Sequence, residues 1–279
     1  MNHLILNYVC LTVNELTSKP DIFSMKNITD RHEFILKKLK EDGKVSILEL
    51  TDLMEVSGVT IRKDLKLLED KNLLFRTRGG GSINNPYANE RTINEKAFIN
   101  SDEKQKIAKA ALSLIEKNDS ISIGSGTTVF ELARCLYPNQ HLTVITPALK
   151  VGLELSSRPN IEVLQLGGLI RSNSSSVAGS YAERVLSEIS CGVLFLGVDG
   201  IDLDFGFSIT NLSEATLNQK MIETAQTVVI MADSTKFDKR GLGKICGFEQ
   251  VHYIITDSGV SESVINQIEE KGVKVIVAV

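Results

Sequence analysis

Apolar positions along the chain fall into two regimes. Before residue 84 they recur at the three- and four-residue spacing of amphipathic helices, and beyond residue 103 short apolar runs alternate with helical stretches. In the first regime Thr29 or Asp30 is placed to cap a helix whose Phe34, Ile35, Leu36 and Leu39 fill a broad face before Gly43 stops it. Val45 starts a short extended piece. Ile47, Leu50, Leu53 and Met54 repeat at helical spacing, and Glu55 to Gly58 make a turn. Ser57 then caps a third helix running from about Val59 to Lys71, with Ile61, Leu65 and Leu68 as its buried stripe. Its outer face carries Val59, Lys63 and Lys66, flanked by Thr60 and Arg62. Three helices in this order make a helix-turn-helix whose third helix reads as a DNA recognition helix; the plainer reading of that helix alone is a solvated amphipathic surface. Leu73 to Arg78 reads as a strand, Gly79 to Gly81 as a tight turn and Ile83 as the start of the return strand. Such a wing places Arg76 and Arg78 near the DNA backbone.

Asn84 to Asp102 is polar and irregular, with Pro86, several asparagines and mixed charge, and is expected to be a linker. After it, seven apolar runs are expected as strands: Ser120 to Ile123, Leu142 to Ile145, Ile161 to Gln165, Val193 to Val198, Thr227 to Met231, Tyr253 to Thr256 and Lys274 to Val277. Strands alternating with helices predict a mostly parallel sheet covered on both faces. The expected division is therefore 1–24 an extension, 25–83 a winged helix-turn-helix, 84–102 a linker and 103–279 an α/β domain. Leu4 to Val13 is apolar, but no Lys or Arg precedes it and no small-residue cleavage site follows, so a poorly ordered extension is expected, with Met25 an alternative start.

Composition sharpens this picture in one respect. The chain has 279 residues and a net charge of −4, which argues against a surface coated in basic charge. From Lys26 to Ile83, however, 12 Lys and Arg face 10 Asp and Glu, a balance of +2 that leaves −6 for the rest. A weakly basic head sits on an acidic body. Cys10, Cys135, Cys191 and Cys246 form no CxxC pair, and His3, His32, His141 and His252 are equally scattered, so neither a metal site nor a redox dithiol is expected.

The stretch VSILELTDLMEVSGVTIRKDL (Val45 to Leu65), with RTRGGG (Arg76 to Gly81), resembles the DNA-binding domain of the DeoR family of bacterial sugar-metabolism regulators. GSGTT (Gly124 to Thr128), LGG (Leu166 to Gly168), FLGVDGID (Phe195 to Asp202) and ADSTKF (Ala232 to Phe237) resemble that family's sensor-domain motifs in the same order. Two positions depart from the pattern: Arg78 stands where the wing commonly carries His, and Pro147 where the sensor often has Asn. DGID at Asp199 to Asp202, with EATLNQKM at Glu214 to Met221, is most similar to the branch controlling galactosamine or N-acetylgalactosamine use. The resemblance implies a cytoplasmic repressor of a carbohydrate-utilisation operon, acting as a homo-oligomer, dimer or tetramer, on double-stranded operator DNA. It implies release by a phosphorylated sugar, no cofactor, and a sensor fold similar to sugar-phosphate isomerases.

Each half then has a candidate site. In the head, Ser57, Val59, Thr60, Arg62, Lys63, Lys66, Arg76 and Arg78 are the expected DNA contacts, with Arg62 and Lys63 able to pair with guanine O6 and N7. The alternative for Arg62 is a surface ion pair with Asp64 or Glu69. In the body, Ser120 to Ile123 runs into Gly124, Ser125, Gly126, Thr127 and Thr128 before a helix, an arrangement suited to an anion. Val129 occupies the third glycine position of GxGxxG and no GK[ST] follows, which disfavours dinucleotides and ATP. Asp199, Gly200 and Asp202 follow a strand at the edge where open α/β sheets place ligands, and Glu214 is a further candidate for sugar hydroxyls. Lys236 and Arg171 are the candidate phosphate cations. The rival reading is a sugar-phosphate isomerase or deaminase-like enzyme with Asp199 as base. Against it, Ser208 to Ser213 carries no lysine followed by a glycine run, and KRGLGK (Lys239 to Lys244) comes too late to substitute.

Overall fold

The computed structural model describes residues 27–71, 73–77, 79–82, 92–115 and 118–279. The chain divides into two compact units, the first ending at Pro86 and the second beginning at Tyr87. The extension 1–24, Met25, Arg78, Ile83 and the first part of the expected linker lie outside the described residues.

The N-terminal unit contains α1 (Ile28–Asp42), β1 (Lys44–Ser46), α2 (Ile47–Met54), α3 (Gly58–Asp70), β2 (Phe75–Thr77) and β3 (Gly80–Ser82). The cap of α1 is Asn27, whose side chain accepts from the Thr29 N–H, rather than Thr29 or Asp30. The asparagine carbonyl reaches the exposed donor from one position outside the helix, which a residue within the first turn cannot do. Gly43 ends α1 in the left-handed region at φ 73°, as its position suggested. Ile35, Leu39, Leu50, Met54, Ile61, Leu65, Leu68 and Leu74 close one core among the three helices.

The glycine run departs from the expected tight turn. Gly80 and Gly81 lie within β3, in a sheet of order β1-β3-β2, where Gly81 pairs with both Val45 and Arg76. A Cβ on Gly80 would stand 1.7 Å from the Val45 carbonyl oxygen. The glycine is there because two backbones meet, not because the chain must reverse.

Asp64 fixes α3 against α1. It is only 1% exposed and accepts from Arg31 Nε at 2.7 Å and Nη2 at 3.0 Å, with His32 Nε2 at 3.3 Å. A bidentate pair of this kind sets both the distance and the rotation of the two helices.

The C-terminal unit is built on a seven-stranded parallel sheet of order β15-β14-β12-β9-β4-β5-β6. Its strands are β4 (Ser120–Ile123), β5 (Leu142–Thr146), β6 (Ile161–Gln165), β9 (Cys191–Gly197), β12 (Ala225–Met231), β14 (Tyr253–Asp257) and β15 (Lys274–Ala278), which are the seven runs expected from the sequence. Both faces are covered, and strand neighbours alternate between two cores. Val193, Phe195, Val229 and Met231 face one with Ile107, Val129 and Leu132, whereas Leu194, Leu196, Val228 and Ile230 face the other with Leu186, Met221 and Ile268. The covering helices are α5 (Ser101–Ala111), α6 (Thr127–Cys135), α7 (Leu149–Leu155), α8 (Ser180–Leu186), α9 (Leu212–Thr224) and α10 (Glu262–Glu269).

Two small antiparallel sheets were not foreseen. One is the hairpin of β7 (Leu169–Arg171) and β8 (Ser176–Ala178), and the other joins β10 (Gly200–Asp202), β11 (Gly206–Ile209) and β13 (Gly243–Cys246). Residues 92–102, expected as irregular linker, are also ordered: α4 spans Ile93–Ala97 and α5 starts at Ser101. Thr92 and Glu95 form a reciprocal capping box, so a short polar stretch becomes helical through its end groups rather than through an apolar stripe. Among the described residues, no helix is long and apolar enough to cross a membrane, and no group of three or more His, Cys, Asp or Glu is arranged to hold a metal ion.

Asp64→Ala removes the buried carboxylate that Arg31 and His32 share, and breaking a buried pair of this type costs about 3–5 kcal/mol. The expected outcome is loss of hydrogen-exchange protection at α3 amides, while those of β9 and β12 keep theirs; unchanged α3 protection would contradict the role given to Asp64.

Candidate functional site

The strand order of the large sheet reverses between β4 and β9. Chain segments leaving the carboxyl ends of these two strands diverge to opposite faces, and a crevice forms where they part. Gly124 holds the two together, its N–H donating to the Phe195 carbonyl at 2.9 Å, and a Cβ there would stand 2.7 Å from Leu196 Cδ2.

The cleft at this point is lined by Ser125, Gly126, Thr127 and Thr128 after β4, Asp199 after β9, Glu214 at the start of α9, and Lys236. Seven of the ten sequence candidates are thus brought together. No side chain caps α6, and Gly126 precedes it at φ 133°; the first bond back to the cap is Phe130 N–H to the Gly126 carbonyl, at 3.1 Å. The N–H groups of the turn before it therefore have no helical partner and point toward the cleft end of the helix. Lys236 lies in a helical turn, Ser234–Lys236, whose cap is Asp233. Among the described residues its ammonium group has no ion-pair partner.

Three candidates are placed elsewhere. Asp202 is engaged by Arg240, Nε to Oδ2 at 2.9 Å, and accepts from the backbone N–H groups of Asp204 and Phe205, so it closes the β10–β11 turn. Gly200 belongs to the same sheet, where a Cβ would stand 2.4 Å from the Lys239 carbonyl oxygen. Arg171 is not among the residues lining the cleft, and its Nε lies 3.2 Å from Glu214 Oε1. Ser176 Oγ donates to that same oxygen at 3.2 Å, so the nearly buried Glu214 side chain is aimed by two partners.

Sequence reasoning missed Lys96, Asn173 and Ser174, with Ile93 and Ile209 as the apolar part of the lining. Lys96 reaches the cleft from α4 and pairs with Asp199, Nζ to Oδ1 at 2.8 Å. The other Asp199 oxygen accepts from Thr210 N–H at 3.1 Å and Thr210 Oγ1 at 2.8 Å. Burial opposes the charge on Asp199, but the ammonium groups of Lys96 and Lys236, with the hydrogen bonds from Lys96 and Thr210, hold its carboxyl below the ordinary range. The Thr92-x-x-Glu95 pattern was the available signal for α4, and nothing in the sequence pointed to its lysine.

On the N-terminal unit the outer face of α3 presents exposed Arg62, Lys63 and Lys66, with Val59 61% exposed. Ser57 Oγ accepts from Thr60 N–H at 3.2 Å and lies 2.9 Å from Thr60 Oγ1. The ion pair considered for Arg62 is not formed: Asp64 is taken by Arg31 and Glu69 by the Arg76 N–H at 3.2 Å. The Arg76 guanidinium lies 4.0 Å from Glu69, so part of its charge is already balanced within the unit. Arg62, Lys63 and Lys66 are the exposed cations of the α3 face.

Comparison with known proteins agrees with both halves. Residues 99–258 match the DeoR C terminal sensor domain and residues 31–86 the DeoR-like helix-turn-helix domain. A putative aga operon transcriptional repressor of Escherichia coli O157:H7 is 35% identical over 264 residues, covering 93% of this chain and 98% of that protein. A lactose phosphotransferase system repressor of Lactococcus lactis subsp. lactis is 35% identical over 236 residues, covering 83% and 91%. Among solved structures, ribose 5-phosphate isomerase A of Neisseria gonorrhoeae aligns over 49% of this chain and 53% of its own, at 18% identity and a TM-score of 0.36, a likeness that carries no functional weight.

Because the Asp199 carboxyl is held below its unfolded value, its ionisation stabilises the C-terminal unit above the unfolded carboxylate pKa of about 4, and that contribution is lost as pH falls through the folded value. Thermal unfolding of Asp199→Asn is expected to depend less on pH in the acid range than that of the parent chain. An identical acid dependence would show that Asp199 is not charged in the cleft.

Proposed function

As the chain belongs to the DeoR family of transcriptional regulators, we propose that it represses a carbohydrate-utilisation operon and leaves operator DNA when a phosphorylated sugar occupies its cleft. The observation that carries the reading is the convergence of Lys236 with the uncapped start of α6. A cation, unpaired helix N–H groups and three hydroxyls, from Ser125, Thr127 and Thr128, suit a phosphate dianion. Asp199 and Glu214 place acceptor oxygens in the same cleft that suit the hydroxyls of a sugar.

At the other end, Arg62 and Lys63 are the residues proposed to read bases, with Ser57, Thr60, Lys66 and Arg76 setting position through phosphates and Val59 touching a base edge. Arg78 is proposed for the same backbone role from sequence alone. A homo-oligomer is implied because such heads engage two half-sites of one operator, and the DNA partner implies the cytoplasm. The isomerase-like alternative gives Asp199 the role of a base, yet both of its oxygens already accept strong donors, which favours binding over proton abstraction. The aga operon and lactose phosphotransferase relatives are both repressors by name, which supports the negative sign of regulation.

A panel of sugar phosphates scored by thermal shift, with the hit repeated in an operator gel shift at fixed salt, tests ligand and sign together. Ligand at a hundred times its Kd stabilises the fold by about 2.7 kcal/mol and is expected to weaken operator binding. Lys236→Ala is expected to lower sugar-phosphate affinity by about tenfold or more, the scale of a lost charge-assisted hydrogen bond. Arg62→Ala is expected to cost about 1–3 kcal/mol in specific operator binding while leaving the thermal shift intact. No response to any sugar phosphate, or full operator affinity in Arg62→Ala, would reject the corresponding half of the proposal.

A further inference from the structure

We infer that Lys96 is an exchangeable latch: the phosphate of the effector takes its ammonium group from Asp199, and the docking of α4 thereby reports whether the cleft is occupied. This rests on the sugar-phosphate reading of the cleft and adds to it the residue that senses occupancy.

The two members of the Lys96–Asp199 pair are held very differently. Asp199 is fixed by two hydrogen bonds from Thr210 and by its own backbone N–H, which donates to the Ser208 carbonyl at 2.9 Å. Lys96 is carried by a five-residue helix, too short to be stable on its own. Around it, α4 is docked mostly through polar contacts. The Ile93 N–H donates to the Asn173 carbonyl at 2.7 Å, Lys150 Nζ to Asn94 at 2.7 Å, and Lys104 Nζ to the Lys96 and Ile99 carbonyls at 2.6 and 2.5 Å. Ile93 is the single buried side chain of the helix, and Phe98, immediately beyond it, is 87% exposed. Loss of one ion pair is therefore a large share of what positions α4.

The chemistry favours exchange when a phosphate arrives. Near neutral pH a phosphate monoester carries about 1.5 to 2 negative charges on three acceptor oxygens, so it competes with a single carboxylate for the ammonium group. Lys236 and the start of α6 lie on the same cleft and place the phosphate within the same lining as Lys96. Cleft space points the same way: the cavity encloses about 60 Å³, whereas small-molecule sites usually hold ~300–1,000 Å³. Displacement of a lining side chain widens the cleft for a sugar phosphate, and Lys96 is the one carried by the five-residue α4. Its departure also leaves Asp199 Oδ1 open to accept a sugar hydroxyl. Along the chain, α4 is the first helix after the segment 83–91 that connects the two units, so a change in its docking is communicated where the chain enters the sensor. Coupling then follows from the different affinity of the ligand for latched and unlatched α4.

A double-mutant cycle on the full chain, with inorganic phosphate as the probe in calorimetry at fixed ionic strength, tests the exchange. Asp199→Asn, which releases Lys96 from its competitor, is expected to raise phosphate affinity several-fold, and Lys96→Gln to lower it. In the Lys96→Gln background the Asp199→Asn gain is expected to shrink by at least about threefold, and Lys96→Arg to keep the parent pattern. Phosphate is also expected to speed hydrogen exchange at residues 93–99 in the parent chain and not in Lys96→Gln. Equal gains from Asp199→Asn in both backgrounds, with phosphate binding intact, would overturn the latch alone. Absence of binding by the parent chain to phosphate and to every sugar phosphate would overturn the sensor reading and the latch with it.

Discussion

The reversal of strand order between β4 and β9 is the constraint on which the chemistry of this chain depends. The connections that follow these two strands part, and the carboxyl ends of two buried strands open into a crevice. The fold thereby brings three sources of polarity together at one cleft. One is the start of α6, another the lysine of the turn after β12, and the third is Asp199 at the end of β9. A carboxylate so deep survives because Thr210 and Lys96 supply what solvent would have supplied. Glu214 is positioned by Ser176 Oγ and lies beside Arg171.

The N-terminal unit solves a different problem, that of holding one helix face in place over a core that has nine buried apolar residues among those described. Apolar packing sets how close α3 lies to α1, but it is poorly directional. The bidentate Arg31–Asp64 pair supplies the direction, and the close crossing of β1 and β3 at Gly80 ties the wing to the same frame. As a result Arg62, Lys63 and Lys66 are left on one exposed face with the neighbouring carboxylates Asp64 and Glu69 already engaged by Arg31 and Arg76.

What the sequence made legible was whatever depends on local period. The seven strands of the parallel sheet are continuous apolar runs because they are buried on both faces, and the stripe Ile61, Leu65, Leu68 has the period of a helix. The hidden parts depend on partners far away in the chain. Asp202 follows a strand at the right edge, and only its meeting with Arg240, 38 residues on, removes it from the cleft. Arg171 looks like a phosphate cation until Glu214 is found beside it. Lys96 was obscured for the opposite reason: its helix has one buried side chain and a polar composition, so it reads as linker. The glycines of the wing carried a true signal with two physical causes, a reversal or a close approach, and the sequence does not distinguish them.

The central claim is that the cleft and the outer face of α3 are energetically linked. Linkage is reciprocal: a ligand that weakens operator binding by some factor must itself be bound more weakly by the same factor when operator is present. The most direct measurement is therefore the affinity of the effective sugar phosphate for the full chain, taken with and without saturating operator at one salt concentration. The account predicts a reduction in the presence of operator equal to the loss of operator affinity caused by the ligand. An unchanged ligand affinity would mean that the cleft and the recognition face do not communicate.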